Sequence, residues 1–107
     1  MDLEVLKKQR EEILEEIKNR GYNSLRYSIL DNQSTKREWE NRIEFENGTY
    51  FVYATMDRAS VMGKYEFQDF LEAKACFFES LDLTVKSNRW RVEDKEETDY
   101  PSLLWDK

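Results

Sequence analysis

The 107-residue chain has no histidine, one cysteine, one proline and three glycines. Without histidine it lacks the side chain that most often serves as a catalytic base and as a metal ligand near neutral pH. The single cysteine can form neither an internal disulfide nor a thiolate zinc site. It sits in the apolar stretch Ala73-Lys74-Ala75-Cys76-Phe77-Phe78 and reads as a buried, inert thiol. The three glycines, Gly21, Gly48 and Gly63, are too far apart to make a phosphate-cradling loop. No stretch approaches the ~18 consecutive apolar residues of a membrane span. The opening Met1-Asp2-Leu3-Glu4 is not the basic-then-apolar start of a secretory leader. These absences together predict a cytoplasmic protein without membrane association.

What is present is charge and aromatic surface. The 23 acids exceed the 17 bases, giving a net charge of -6 and a pI of about 4.8. Charged residues make up 37% of the chain, above the globular norm of roughly 25%. Aromatics at 14% argue against disorder. Residues 1–107 are therefore expected to form one folded domain with a thin, aromatic-rich core. The negative balance disfavours direct binding to nucleic-acid phosphates.

Residues 2–20 read as a helix with Leu3, Leu6, Ile13 and Ile17 on one stripe, Asp2 as its cap and Gly21 as its left-handed exit. Leu25 to Leu30 alternates as a short strand, and Asp31 to Lys36 is a polar loop. The strongest local signal is Asn47-Gly48, the hairpin dipeptide that tolerates positive φ at both turn positions. A two-residue loop sets the register: Glu46 faces Thr49, Phe45 Tyr50, Glu44 Phe51, Ile43 Val52, Arg42 Tyr53 and Asn41 Ala54, then Glu40 Thr55 and Trp39 Met56. One face then carries Trp39, Ile43, Phe45, Tyr50, Val52, Ala54 and Met56. The other carries Glu40, Arg42, Glu44, Glu46, Thr49, Phe51, Tyr53 and Thr55, and is expected to face water. Residues 58–62 read as a connection and 63–66 as a further short strand. Asp69, with Glu72 three residues on, opens a second helix striped by Phe70, Ala73, Phe77 and Leu81. Leu83-Thr84-Val85 and Trp90-Arg91-Val92 read as candidate strand edges. The predicted class is α+β: an antiparallel sheet with an N-terminal helix and a second helix packed on one face.

Catalytic patterns are missing. A serine hydrolase lacks its base and its nucleophile elbow. Glu40 and Glu44 stand about 13 Å apart along a strand, too far for a glycosidase pair. The acidic run from Glu93 to Asp99 lacks the glycine and ligand spacing of a calcium loop. No catalytic residue, cofactor or metal is assigned. The features that stand out suit a protein partner. On the hairpin, Glu40, Glu44 and Glu46 surround Phe51 and Tyr53, an aromatic centre inside a charged rim. In the closing stretch, Asp94, Glu96, Glu97 and Asp99 form a second acidic patch. From Glu93 to Lys107 there are six acids and two bases, a net of -4 and most of the excess. Each feature has a plainer reading. Trp90, Leu103, Leu104 and Trp105 would fold over the hairpin face, and the acidic run would be a solvated tail.

A charged first helix, a hairpin with Asn47-Gly48-Thr49-Tyr50, and Tyr65-Glu66-Phe67-Gln68-Asp69-Phe70 running into Ala73 and Phe77 come in that order. Over Arg42 to Leu81 this resembles small bacterial immunity proteins of polymorphic or contact-dependent toxin systems. The resemblance implies a cytoplasmic, non-catalytic protein that binds one cognate toxin, often over its active site. Many such toxins are nucleases with basic clefts, which an acidic partner complements. It transfers no individual contact residue, and Val85 onward has no counterpart. The alternative is an acidic inhibitor encoded by a phage or plasmid, of the anti-restriction or anti-CRISPR type. Interspersed bases speak against that duplex-like charge. The expected state is a monomer, or a homodimer paired through a hairpin edge.

Overall fold

The hairpin forms as its turn dictates. In the computed structural model, which describes residues 2–32 and 34–105, Asn47 and Gly48 have φ of 50° and 79°. They join β2 (Asn41–Glu46) to β3 (Thr49–Thr55) in the expected antiparallel register, from Glu46–Thr49 to Asn41–Ala54. Thr55 N–H donates to the Glu40 carbonyl at 2.8 Å, extending the pairing by one step. β4 (Val61–Phe67) then pairs antiparallel with β3 and is longer than expected. It holds one extra residue against Val52–Ala54, beside Gly63 at φ 53°. Glycine is the residue that accommodates such a bulge in the left-handed region.

β1 (Tyr27–Ile29) lies on the other side of β2 and runs parallel to it, so the order is β1-β2-β3-β4 and the sheet is mixed. The sheet is therefore mostly antiparallel, as expected, with β1 as a parallel exception. The physical reason is the length of residues 30–40. A parallel connection must cross over the sheet and needs about a dozen residues, whereas a hairpin needs two. The crossover begins and ends in left-handed residues that are not glycine, Leu30 at φ 51° and Trp39 at φ 57°. Gln33, part of the predicted polar loop, lies outside the described residues.

α1 (Leu3–Arg20) is capped by Asp2, whose carboxylate accepts from Glu4 N–H at 3.1 Å, and ends at left-handed Gly21. Its buried stripe is Ile13 and Ile17, while Leu3 is exposed. Arg10 donates to the Ile29 carbonyl at 3.2 Å and ties the helix to β1. α2 (Phe70–Glu93) begins at Asp69, which accepts from Glu72 N–H at 3.3 Å. It runs for 24 residues, about 36 Å. Leu83-Thr84-Val85 and Trp90-Arg91-Val92 are helical, which corrects the reading of strand edges. No glycine or proline interrupts residues 70–93, and the buried stripe continues through Leu81, Val85 and Asn88. That tertiary stripe outweighs the local β preference of Leu-Thr-Val.

Both helices cover one face of the sheet. Tyr50 donates from its hydroxyl to Gln9 of α1 at 2.8 Å, and Ile13, Ile17, Ile43, Val52, Phe77 and Leu81 meet in the core. The helices are linked at the surface by Lys74 to Glu12 and by Arg20 to Asp82. Cys76 is half-buried against this core, and burial followed by the Glu79 charge raises its thiol pKa.

The closing segment packs beside α2. Tyr100 and Trp105 are buried, Trp105 donates to the Tyr100 carbonyl at 2.6 Å, and the Tyr100 hydroxyl accepts from Arg26 N–H at 3.1 Å. It does not fold over the outer face of the hairpin, so Trp105 belongs to the main core and not to a second one.

Candidate functional site

The outer hairpin face departs most from expectation, because much of it is not in water. Glu40 is 2% exposed, and Arg42 and Tyr53 are buried with it. The cover is the crossover. The inner face is occupied by the helices, so the connection from β1 to β2 crosses the outer face and closes over its acids.

Alternation along β2 places Glu40, Arg42 and Glu44 side by side. Arg42 Nη1 donates to Glu40 Oε1 at 2.6 Å and Nε to Glu44 Oε2 at 3.0 Å. Its Nη2 reaches the crossover, donating to the Ser34 hydroxyl at 2.9 Å and the Ser34 carbonyl at 3.1 Å. From the same loop Arg37 Nε donates to Glu40 Oε2 at 3.0 Å, and Ser34 bonds Ser28 of β1 at 2.8 Å. On β3, the Tyr53 hydroxyl donates to Glu44 Oε2 at 2.7 Å, while the Thr55 hydroxyl is bonded to the Arg37 carbonyl. Among the described residues, no buried side-chain polar atom lacks a partner.

The electrostatics follow from this geometry. Burial opposes the Arg42 charge, but the bonds to Glu40 and Glu44 outweigh it and hold its pKa above the usual arginine value. Burial, then the hydrogen bond and charge of Glu44, push the Tyr53 phenol up to about 12. A raised folded-state pKa gives stability that is complete below the unfolded value of 10.0 and declines as pH rises towards about 12. The stability gap between the wild-type chain and Tyr53→Phe is therefore expected to narrow across that window, read from urea midpoints at each pH. A gap that stays constant with pH would contradict the assignment.

Beyond the crossover the face opens. Glu46 and Glu66 are exposed and Phe51 is half-buried, with Lys64 Nζ 4.7 Å from the Phe51 ring centre and 5.3 Å from that of Tyr53. Of the five hairpin residues singled out, Glu46, Phe51 and the edge of Glu44 thus meet solvent, while Glu40 and Tyr53 lie beneath as supports. Arg42 and Lys64 were not assigned a role. The signal for Arg42 was legible: an arginine with Glu two residues away on either side shares a strand face with both.

At the end of α2, Asp94, Glu96 and Glu97 are exposed. Asp99 is an internal clasp. Its backbone N–H donates to Asn88 Oδ1 at 2.8 Å, and its carboxylate accepts from Asn88 Nδ2 at 3.1 Å and pairs with Arg91. Among the described residues, no cluster of three or more Asp, Glu, Cys or His could hold a metal ion. Among the described residues, no helix is long and apolar enough to cross a membrane. What the exposed groups can do chemically is present negative charge around apolar surface.

A family model described as Immunity protein 59 matches residues 6–106. No curated protein and no solved structure matches.

Proposed function

The chain belongs to the Immunity protein 59 family, and from that premise we propose that it neutralises a cognate bacterial toxin by binding over its active site. Immunity proteins of this kind act as inhibitors and not as enzymes. The observation that carries the reading is the match itself, which spans both helices and the whole sheet. The location is the cytoplasm, where the toxin acts.

The exposed acids support a basic partner surface, such as the substrate cleft of a nuclease. Glu46 and Phe51 on the sheet, with the edge of Glu44, and Asp94, Glu96 and Glu97 beside α2, are the groups that reach solvent to meet it. Glu40, Tyr53 and Asp99 keep those surfaces in shape from below. Exposed charge of one sign speeds encounter with an oppositely charged partner and makes it sensitive to salt.

The test uses the toxin domain that this chain captures from its native cell, identified by pull-down and mass spectrometry. Co-expression is expected to restore growth, and the purified pair to form an equimolar complex that buries roughly 800 Å² on each side and weakens as salt rises. Full toxin activity in the presence of excess chain, with no complex by calorimetry, would overturn the proposal.

A further inference from the structure

Four large apolar side chains are left in solvent around the second half of α2 and the segment that follows: Leu83, Trp90, Val92 and Leu103. Trp90 is 59% exposed and Leu103 83%. Leu83 and Trp90 are seven residues apart, two helical turns, and share the side of α2 that faces away from the core. A groove runs from Trp90 between α2 and the closing segment, floored by Val85, Val92 and Trp105. It continues past Val92 to Pro101 and Leu103. A solvent-facing tryptophan beside an apolar groove has no role in holding this fold together.

The charges around it are unequal in their commitments. Most of the bases are engaged within the chain, while Lys95 stands exposed among four acids. Lys86 Nζ sits 5.3 Å from the Trp90 ring centre, Arg89 Nε donates to the Leu104 carbonyl at 2.8 Å, and Arg91 is paired with Asp99. The acids are not. Glu93, Asp94, Glu96 and Glu97 are all exposed, and among the described residues the ion pairs lie elsewhere. An apolar anchor bordered by unpaired carboxylates is complementary to a basic protein surface with an apolar recess. A nucleic acid or an acidic protein would be repelled.

We propose that Trp90 and the groove beside it are the anchor of the toxin interface, with Glu93, Asp94, Glu96 and Glu97 as its steering rim. This rests on the toxin-binding reading above and deepens it, because it ranks this end of α2 above the open part of the sheet. Buried tryptophans at interface centres are among the residues whose truncation costs most, and rim charges act mainly on association rate.

The experiment compares three variants against the same captured toxin domain: Trp90→Ala, the pair Glu96→Lys and Glu97→Lys, and Glu46→Lys on the sheet. Circular dichroism and melting first establish that Trp90→Ala is folded, as expected for a side chain so exposed. Trp90→Ala is expected to weaken binding by about 30-fold or more, chiefly through faster dissociation. The double reversal is expected to slow association by about tenfold, and Glu46→Lys to weaken binding by less than either of the other variants. Wild-type affinity in folded Trp90→Ala overturns the inference and leaves the toxin-binding function standing. Absence of binding by the wild-type chain overturns both. Tryptophan emission adds an independent reading, since Trp105 is already buried: a blue shift on complex formation that disappears in Trp90→Ala supports the anchor, and an unchanged spectrum opposes it.

Discussion

Replacing Arg42 with methionine is expected to lower the thermal midpoint by more than about 12 °C. The argument concerns what is left behind. Arg42 is fully buried and holds Glu40, itself 2% exposed, together with Glu44 and the Ser34 end of the crossover. Removing one partner of a buried charge network costs about 3–5 kcal/mol, because the remaining carboxylates keep their desolvation with only the largely exposed Arg37 left to balance Glu40. A domain of this length has roughly 5–15 kcal/mol in total and shifts by about 4–8 °C per kcal/mol. Adding Glu40→Gln to Arg42→Met is expected to recover part of the loss, since it removes the stranded charge. Thermal melts of the single and double variants measure this. A single-variant loss below about 1 kcal/mol would show that the network behaves as an exposed one.

Phe77→Ala is expected to cost a similar amount for a different reason. Phe77 is fully buried on the core stripe of α2, with its ring edge-on to Phe78 at 5.6 Å between centres. Truncation loses the transfer energy of the ring and leaves a cavity that the sheet and α1 close only in part, about 3–5 kcal/mol together. Leu71→Ala serves as the control on the same helix. Leu71 is 64% exposed, so its truncation is expected to fall within about 0.5 kcal/mol of zero. Urea unfolding of the pair provides the comparison, and equal losses would contradict the placement of the helix.

The elements legible from residues alone were those specified by neighbours in the chain. Asn47-Gly48 and the alternation around it set six cross-strand pairs correctly, and Asp2, Gly21 and Asp69 marked helix ends. The features that escaped depend on distant parts of the chain. Leu83-Thr84-Val85 looks like a strand until the stripe running from Phe77 to Asn88 is seen to need a helix. Glu40 and Arg42 look solvated until a parallel β1 sends its connection across them. The same connection keeps the closing segment from being needed there, and Tyr100 and Trp105 pack by α2 instead. Of the candidate contacts, Glu46, Asp94, Glu96 and Glu97 could be read as exposed from sequence, and Phe51 as lying on the outer face. The buried roles of Glu40, Tyr53 and Asp99 could not, because nothing local distinguishes a supporting carboxylate from a surface one.

Between its apolar ends Leu30 and Trp39, which pack against the core, the crossover is held to the sheet by hydrogen bonds and ion pairs involving Ser34, Arg37 and Asp31. Opening it would hydrate charged and peptide groups but expose little hydrocarbon. Heat capacity and denaturant sensitivity both scale with the surface uncovered, and the positive heat-capacity contribution comes from its apolar part. A local opening of this loop therefore has a small heat-capacity change and a small m-value, unlike global unfolding through the Phe77 core. Hydrogen exchange at crossover amides is therefore expected to stay nearly constant as urea is added, while exchange at core amides rises steeply with it.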